Sequence, residues 1–215
     1  MAISRTVVIS CAGMGNRLGM GNTKALIEVE GKPLIARHLE MLKNESDIRI
    51  VVGYQAEQVI NVVLKYRNDV TFVFNHKYRE TGTGASVVYA SLYANEYLLS
   101  IDGDLLVHPE DMKKILTCEY EFVGGGIPDT DDPWMLQTTK LAEREYVTEF
   151  SKSKGNYEWN GIVQIKSAKV REGFGHVFQL IEPHLPLPFI QLDTREIDTI
   201  NDYERAISWV RNGYK

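Results

Sequence analysis

Residues 5–26, near the start of the chain, read RTVVISCAGMGNRLGMGNTKAL. The first part, Arg5 to Cys11, is β-branched and apolar, as is typical of a parallel strand that is buried on both faces. A glycine-rich segment follows directly, from Gly13 to Gly21. Glycines after a buried strand let the backbone approach a phosphate chain closely, with N–H groups pointing toward the anion. The stretch therefore predicts a strand that leads into a phosphate-binding loop.

Two basic residues, Arg17 and Lys24, lie within and just after this loop and add positive charge beside it. Glycines alone are also compatible with a plain flexible turn, but strand, glycines, arginine and lysine together favour phosphate binding. The dinucleotide-binding fingerprint fails because Leu18 stands where its third glycine is needed. The Walker loop fails because Lys24 is followed by Ala25 rather than by Ser or Thr.

The composition is that of an acidic globular protein, with 24 Lys and Arg against 29 Asp and Glu and a net charge of −5. This balance argues against nucleic-acid binding, which needs a basic face. The two cysteines, Cys11 and Cys118, offer neither a CxxC pair nor a disulfide framework. Because no signal-peptide pattern and no stretch of membrane-spanning length is seen, we expect a cytoplasmic protein that has no membrane partner.

Strands and helices alternate through the first hundred residues. Further strands are predicted at Ile48–Gly53, Val70–Phe74 and Tyr97–Ile101, with helices between them. This alternation predicts an α/β protein with a single-domain, doubly wound, mostly parallel sheet of the Rossmann type. After Pro109 the rhythm changes, and residues 134–151 indicate a small antiparallel subregion.

Two helices are predicted near the end of the chain. One covers residues 169–182, although Gly173 and Gly175 weaken it. The other covers residues 201–212, with Asn201 or Thr199 as its N-cap.

Two acidic motifs follow predicted strands. The first, Asp102-Gly103-Asp104, lies at the carboxyl end of a central strand, the edge of an open α/β sheet where ligands bind. A carboxylate that faces a triphosphate there is a natural Mg²⁺ ligand, and the alternative is a turn with capping aspartates. The second, Glu196-Ile197-Asp198-Thr199, gains weight only as the source of a second carboxylate for the same metal.

Together the motifs resemble the signature of the nucleotidyltransferases with a GT-A-like fold. The matching stretches are Ala12-Gly13-Met14-Gly15-Asn16-Arg17, Thr23-Lys24, Gly31-Lys32-Pro33-Leu34, Val52-Gly53-Tyr54, Asn75 to Tyr78, Ile101 to Asp104 and Glu196 to Thr199. The resemblance covers nearly the whole chain and is closest to phosphocholine cytidylyltransferases of the bacterial type. The features that point to this group are Trp134-Met135-Leu136, Gly161-Ile162-Val163 and the terminal Glu196 to Thr199. One departure is Thr23, where the superfamily usually has proline.

The resemblance implies a Mg²⁺-dependent transfer of a nucleotidyl group from a nucleoside triphosphate, with CTP favoured, to a small phosphate monoester. In that scheme Arg17 and Lys24 stabilise charge on the α-phosphate and on the leaving pyrophosphate. Asp104 and Asp198 hold the metal. The residues that it places against the nucleotide are Ala12, Gly13, Met14, Gly15, Gly53, Gly82, Thr83, Ser86 and Asp102. Residues 1–215 then form one domain, with a nucleotide-binding half at about 1–108 and an acceptor-binding half at about 109–215.

Trp134 and Trp159 lie in the half that is expected to cover the acceptor. Carboxylates precede both of them: Asp129, Asp131 and Asp132 before the first and Glu158 before the second. Aromatic faces beside negative charge suit a cationic head group, which favours choline phosphate as acceptor. The alternative is that both tryptophans only pack against the sheet.

Three other functions compete with this one. A sugar-1-phosphate nucleotidyltransferase that uses another nucleoside triphosphate has the same fold. A nucleotide-sensing module without turnover could also keep the fold. An oxidoreductase that uses a dinucleotide is the weakest, because the fingerprint residues are missing. The sequence leaves the oligomeric state open.

Overall fold

The computed structural model describes residues 3–15 and 23–215 of the chain. Its helices are α1 (Leu34–Met41), α2 (Ala56–Tyr66), α3 (Thr83–Ser91), α4 (Pro109–Thr117), α5 (Val177–Ile181) and α6 (Ile200–Arg211). Its strands are β1 (Arg5–Cys11), β2 (Glu28–Val29), β3 (Lys32–Pro33), β4 (Ile48–Val52), β5 (Thr71–Phe74), β6 (Tyr97–Asp102), β7 (Leu105–Val107), β8 (Phe122–Gly126), β9 (Met135–Leu141), β10 (Arg144–Ser151), β11 (Tyr157–Lys166), β12 (Leu187–Gln191) and β13 (Thr194–Glu196). Short 3₁₀ helices cover Lys24–Leu26, Ser167–Val170 and Glu182–His184.

Within the described part of the chain, nine strands form one sheet in the order β5-β4-β1-β6-β11-β8-β12-β10-β9. Strands β5, β4, β1 and β6 are parallel to one another. From β11 onward the neighbours are antiparallel, except that β8 and β12 are parallel. The α/β class is therefore confirmed, but the prediction of a mostly parallel sheet is wrong, because the sheet is mixed.

The connections explain why the sheet is mixed. Helices α1, α2 and α3 lie between β1, β4, β5 and β6, and such crossovers are what parallel strands require. Strands β9 and β10 are instead joined by a two-residue turn, in which Ala142 has a φ of 54°. A turn this short joins only antiparallel neighbours.

The two predicted C-terminal helices have different outcomes. Helix α6 confirms the last one, with Thr199 as its N-cap: the Thr199 hydroxyl accepts from the N–H of Asp202, whose carboxylate accepts from the N–H of Thr199. The helix predicted over residues 169–182 is wrong in extent, because only α5 is α-helical there. Gly173 and Gly175 have φ values of 139° and 88°, which interrupt a helix.

The core lies on both faces of the sheet, and β1 contributes side chains to both faces. Val7 and Ile9 point into the apolar cluster that includes residues of α1, α2 and α4, whereas Val8 points into the cluster that includes residues of α3 and α5. This burial on both faces explains the continuous apolar run of β1. None of the helices among the described residues combines the length and apolar character that are needed to cross a membrane.

Residues 127–134, which connect β8 to β9 and which we call the acidic strap, have one buried attachment. Glu158 of β11 is only 9% exposed. Its carboxylate accepts hydrogen bonds from the backbone N–H of Asp129 at 2.7 Å, from the backbone N–H of Thr130 at 3.2 Å and from the Thr130 hydroxyl. This buried carboxylate therefore fixes the path of the strap.

The second attachment of the acidic strap is exposed. Arg205 of α6 donates hydrogen bonds to Asp129 at 2.7 Å and to Asp202 at 2.6 Å. The side chains of Arg205 and Asp129 are 49% and 45% exposed. Asp202 also accepts from the backbone N–H groups of Asp198 and Thr199. Hydrogen bonds thus connect the strap to the turn that precedes α6.

These two attachments predict unequal effects on stability. Replacing Glu158 by Ala leaves two backbone N–H groups without their acceptor, so we expect the free energy of unfolding to fall by about 2 kcal/mol. Replacing Arg205 by Ala removes only exposed ion pairs, which are worth less than about 1 kcal/mol. Urea unfolding of both variants measures the difference, and equal losses would contradict this account.

Candidate active site

A cleft of about 1180 Å³ opens where β1 and β6 end. Its wall brings together most of the residues that the sequence had singled out: Ala12, Gly13, Gly15, Lys24, Gly82, Thr83, Ser86, Asp102, Asp104, Trp134, Trp159 and Asp198. Arg17 lies outside the described residues. Residues separated by most of the chain therefore share one concave surface at the edge of the sheet where α/β proteins bind ligands.

Two predicted nucleotide contacts, Met14 and Gly53, are not in the cleft wall. A Cβ on Gly53 would come within 2.9 Å of the Tyr78 Cβ and within 3.0 Å of the Ala12 Cβ. Gly53 is therefore needed for close packing against Ala12 and Tyr78, which both line the cleft. A contact between Gly53 and a nucleotide stays a prediction.

Thr23 is hydrogen-bonded to the segment that directly follows β1. The residue is 1% exposed, and its hydroxyl lies 3.2 Å from the carbonyl oxygen of Gly13 and 3.5 Å from that of Cys11. Its backbone N–H donates to the side-chain oxygen of Gln55 at 2.8 Å. Thr23 thus fixes the backbone beside Lys24 through its hydroxyl and N–H.

Three carboxylates meet at the floor of the cleft because of one strand pairing. Strand β13 pairs with β7 so that Glu196 lies opposite Leu105, the residue after Asp104. Glu196 and Asp198 are two positions apart, a spacing that puts side chains on one face of an extended chain. Carboxylate oxygens of Asp104, Glu196 and Asp198 all lie within 4.8 Å of one another.

This carboxylate cluster (Asp104, Glu196 and Asp198) holds more negative charge than its surroundings stabilise. Burial raises the pKa of Glu196 to about 8, and the charges of Asp104 and Asp198 act in the same direction. Burial and the charge of Asp104 likewise raise the pKa of the neighbouring Asp102 to about 7. Three carboxylates that lie this close together offer the hard oxygen ligands that a magnesium ion prefers.

Lys24 extends into the same cluster. Its ammonium nitrogen donates to Asp104 at 2.7 Å and to Asp198, and it lies 3.9 Å from Glu196. Burial alone would lower the pKa of Lys24, but Asp104 and Asp198 outweigh burial and raise it above its usual value. Lys24 is therefore a permanent cation at the floor of the cleft.

The turn that begins α3 is closely packed against a segment from far along the chain. A Cβ on Gly82 would come within 2.3 Å of the Gly175 carbonyl oxygen, and the N–H of Gly84 donates to that oxygen at 3.0 Å. The Thr83 hydroxyl accepts from the N–H of Val177 at 3.3 Å. Glycine is required at position 82 by this protein contact, whatever the turn contacts in a ligand.

Asn75 shapes the loop before α3 from inside the protein. It is 2% exposed. Its amide nitrogen donates to the hydroxyls of Thr81 and Ser86 at 3.1 and 3.3 Å, and its oxygen accepts from the N–H of Lys77 at 3.0 Å. Asn75, Thr81 and Ser86 also line the cleft.

Trp134 and Trp159 form part of the opposite wall, and both also pack against the core. The Trp134 ring lies 4.1 Å from the Phe178 ring, between centroids. The Lys152 ammonium lies 4.9 Å from the Trp134 ring centroid and 2.8 Å from an Asp132 carboxylate oxygen. Both tryptophans thus pack against the core and line the cleft, and the Lys152 ammonium already contacts the Trp134 ring.

Two of the carboxylates that were expected to face an acceptor have other partners as well. Glu158 binds the acidic strap, and Asp129 binds Arg205. No individual role was predicted for Glu196, Asn75 or Lys152. Of these three, only Glu196 has a sequence pattern that indicates a role, because its two-residue spacing from Asp198 puts both side chains on one face of a strand.

Comparison with known proteins places the fold. The phosphocholine cytidylyltransferase LicC of Streptococcus pneumoniae superposes with a TM-score of 0.76 at 23% identity, over 96% of this chain and 99% of that one. The inositol-1-phosphate CTP transferase of T. maritima superposes with a TM-score of 0.74 at 18% identity, over 100% and 99% of the two chains. The chain therefore has the α/β nucleotidyltransferase fold.

Sequence relatives match over shorter stretches. A choline-phosphate cytidylyltransferase of Streptococcus pneumoniae is 39% identical over 109 residues, which is 46% of this chain and 44% of that protein. The bifunctional protein GlmU of Methanocaldococcus jannaschii is 25% identical over 179 residues, 81% of this chain and 41% of that protein. The matches thus span less than half the length of these relatives. Residues 7–158 match the family of MobA-like NTP transferase domains, and because this is more than half of the chain, the protein belongs to that family.

Proposed function

We propose that this protein is a magnesium-dependent cytidylyltransferase that transfers CMP from CTP to a phosphate monoester with a cationic head group, choline phosphate being the first candidate. The observation that carries the proposal is the carboxylate cluster with Lys24 at the floor of a cleft whose walls include Gly13, Gly15, Trp134 and Trp159. A sequence relative that is a choline-phosphate cytidylyltransferase and a structural neighbour that is an inositol-1-phosphate CTP transferase support CTP as the donor.

In this reaction an oxygen of the acceptor phosphate attacks the α-phosphorus of CTP. The bond from the α-phosphorus to the bridging oxygen breaks, and pyrophosphate leaves with that electron pair. The acceptor oxygen is already anionic at neutral pH, so no general base is needed. The contribution of the protein is then positioning and charge stabilisation, as in other phosphoryl transfers.

The residues of the cleft divide these tasks. Backbone N–H groups of Gly13 and Gly15 bind the phosphate chain, while Lys24 and Arg17 stabilise the charge that develops on the α-phosphate and on pyrophosphate. Asp104 and Asp198 hold magnesium, with Glu196 beside them, and the bound ion supplies positive charge to both the triphosphate and the acceptor phosphate.

The acceptor is assigned to the wall that contains Trp134 and Trp159. A quaternary ammonium gains from an aromatic face and from nearby carboxylates in the same direction. Asp131 and Asp132 belong to the same wall of the cleft. Lys152, which already pairs with Asp132 at 2.8 Å, must leave the Trp134 ring before a cationic head group can take that face.

A second candidate function is supported by a structural neighbour, a UDP-glucose pyrophosphorylase, which superposes with a TM-score of 0.76. It is a sugar-1-phosphate nucleotidyltransferase with another nucleoside triphosphate as donor. A neutral sugar would be recognised by hydrogen bonds to its hydroxyls, for which Asn160 and Lys152 in the cleft wall are available.

Pyrophosphate release separates these functions. CTP, UTP, GTP and ATP are each tested with choline phosphate, an aminoalkyl phosphonate, a polyol phosphate and a sugar 1-phosphate. We expect release only with CTP, and most rapidly with choline phosphate. Efficient turnover of a sugar 1-phosphate while choline phosphate is inert would establish the second candidate instead. Absence of release with every pair would favour a nucleotide-sensing module.

The proposed metal ligands give a second prediction. Asp104→Ala and Asp198→Ala each remove a carboxylate that neutralises the ion, so we expect kcat to fall by at least about a hundredfold while the fold is retained. Asp69→Ala is the matched control, since Asp69 pairs with Arg67 on the surface. An Asp198→Ala enzyme with normal activity and normal Mg²⁺ dependence would remove Asp198 from the site.

The aromatic wall gives a third prediction. Trp134→Ala and Trp159→Ala should raise the KM for choline phosphate by about tenfold, the loss expected for a cation–π contact, and should leave the KM for CTP nearly unchanged. Trp209→Ala is the matched control for loss of a buried tryptophan, because Trp209 packs in a different cluster. Equal changes in both KM values would show that the two tryptophans only stabilise the sheet.

A further inference from the structure

Lys24 and the proposed metal use the same three carboxylates. The Lys24 ammonium contacts Asp104 and Asp198 directly and lies 3.9 Å from Glu196, while the carboxylate oxygens of these residues are themselves within 4.8 Å of one another. An ion that used oxygens from all three would lie within a few ångströms of the ammonium. The two cations would repel each other strongly at such a separation, more so at a partly buried site than in water.

The contact of Lys24 with two of the carboxylates is partly sheltered from solvent. Lys24 is 17% exposed, Asp104 and Asp198 are 21% and 22% exposed, and Glu196 is 43% exposed. Solvent therefore screens the charges of Lys24, Asp104 and Asp198 less than it screens surface charges, which strengthens the repulsion between two cations there.

The Lys24 ammonium can also move away from the carboxylates. Its ammonium is carried on a flexible four-carbon stem. Its backbone, in contrast, is held by the neighbouring Thr23, whose hydroxyl and N–H bind Gly13 and Gln55. Gly13 and Gly15 line the same cleft as Lys24, so the ammonium can turn from the carboxylates toward a ligand bound there while its backbone remains in place.

We propose that Lys24 and the divalent cation compete for the carboxylate cluster, so that the metal binds tightly only when nucleotide phosphates accept Lys24. This inference rests on the proposed function, because it takes the phosphates of the donor as the second partner of Lys24. By linkage, metal and nucleotide then strengthen each other's binding by the same factor. Lys24 would act as an internal counterion that protects the cluster from binding metal without substrate.

The alternative is a lysine that stays on the carboxylates throughout. In that case Lys24 would be a structural ion pair, and its removal would take a cation from the carboxylates without creating a better metal site. The two cases differ in the metal affinity of the protein without nucleotide, which can be measured without any turnover.

The experiment uses Mn²⁺ alone as the probe, with free Mn²⁺ followed by its electron paramagnetic resonance signal in the absence of nucleotide. We expect Lys24→Gln to bind Mn²⁺ at least tenfold more tightly than the unsubstituted protein. Lys24→Arg keeps the charge and should stay within about threefold. Lys32→Gln is the matched control, because Lys32 pairs with Glu40 at 2.7 Å away from the cluster, and its affinity should not change.

Thermal unfolding gives a second readout that does not depend on how stable the Lys24→Gln variant is. Removal of the ammonium leaves the cluster uncompensated, so the Tm of this variant should fall without metal. Added Mn²⁺ should raise its Tm more than that of the unsubstituted protein, because tighter binding to the folded state stabilises it more. An equal or smaller rise would overturn the proposal.

The outcomes separate this proposal from the proposed function. If the protein releases pyrophosphate as proposed but Lys24→Gln binds Mn²⁺ no more tightly than before, the competition is overturned and the function stands. If no variant binds Mn²⁺, both the metal assignment and the competition are overturned. Tighter binding by Lys24→Gln supports the competition, whichever nucleoside triphosphate proves to be the donor.

Discussion

Repulsion among three carboxylates at one end of the sheet is the constraint on which the rest of the site depends. Asp104, Glu196 and Asp198 come from two strand ends, and the pairing of β7 with β13 forces them together. Like charges in a sheltered site are costly unless a cation accompanies them. Lys24, 174 residues before Asp198, supplies that charge and so connects the start of the chain to its end.

The surrounding architecture positions this charge with uncharged contacts. Thr23 fixes the backbone next to Lys24, and Gly175 backs the turn before α3. Asn75 holds the loop that faces them. The cleft therefore has a polar floor, which needs an ionic ligand, and walls shaped by buried hydrogen bonds. This combination is what transfer of a charged group without a general base requires.

The sequence was most informative where structure depends on neighbours along the chain. Strand β1, the N-cap at Thr199 and the acidic ends of β6 and β13 all follow from local pattern. The mixed sheet was missed because strand direction beyond β6 depends on pairings between distant segments, among them β12 in a stretch rich in proline. The resemblance placed Gly53 against the nucleotide, and Glu158 was expected near the acceptor because it precedes Trp159. The packing of Gly53 against Tyr78 and the hydrogen bonds between Glu158 and the acidic strap are visible only in three dimensions.

The acidic strap has a buried attachment at Glu158 and exposed ion pairs at Asp129 and Asp132, so dissolved salt acts on these contacts differently. At physiological ionic strength, charge interactions in water are screened over about 8 Å, while buried contacts are screened much less. Rising salt therefore weakens the contact between Arg205 and Asp129 but leaves the hydrogen bonds of Glu158 intact. The contact between the acidic strap and α6 is thus sensitive to the ionic composition of the medium, whereas the contact between the strap and Glu158 of β11 is not.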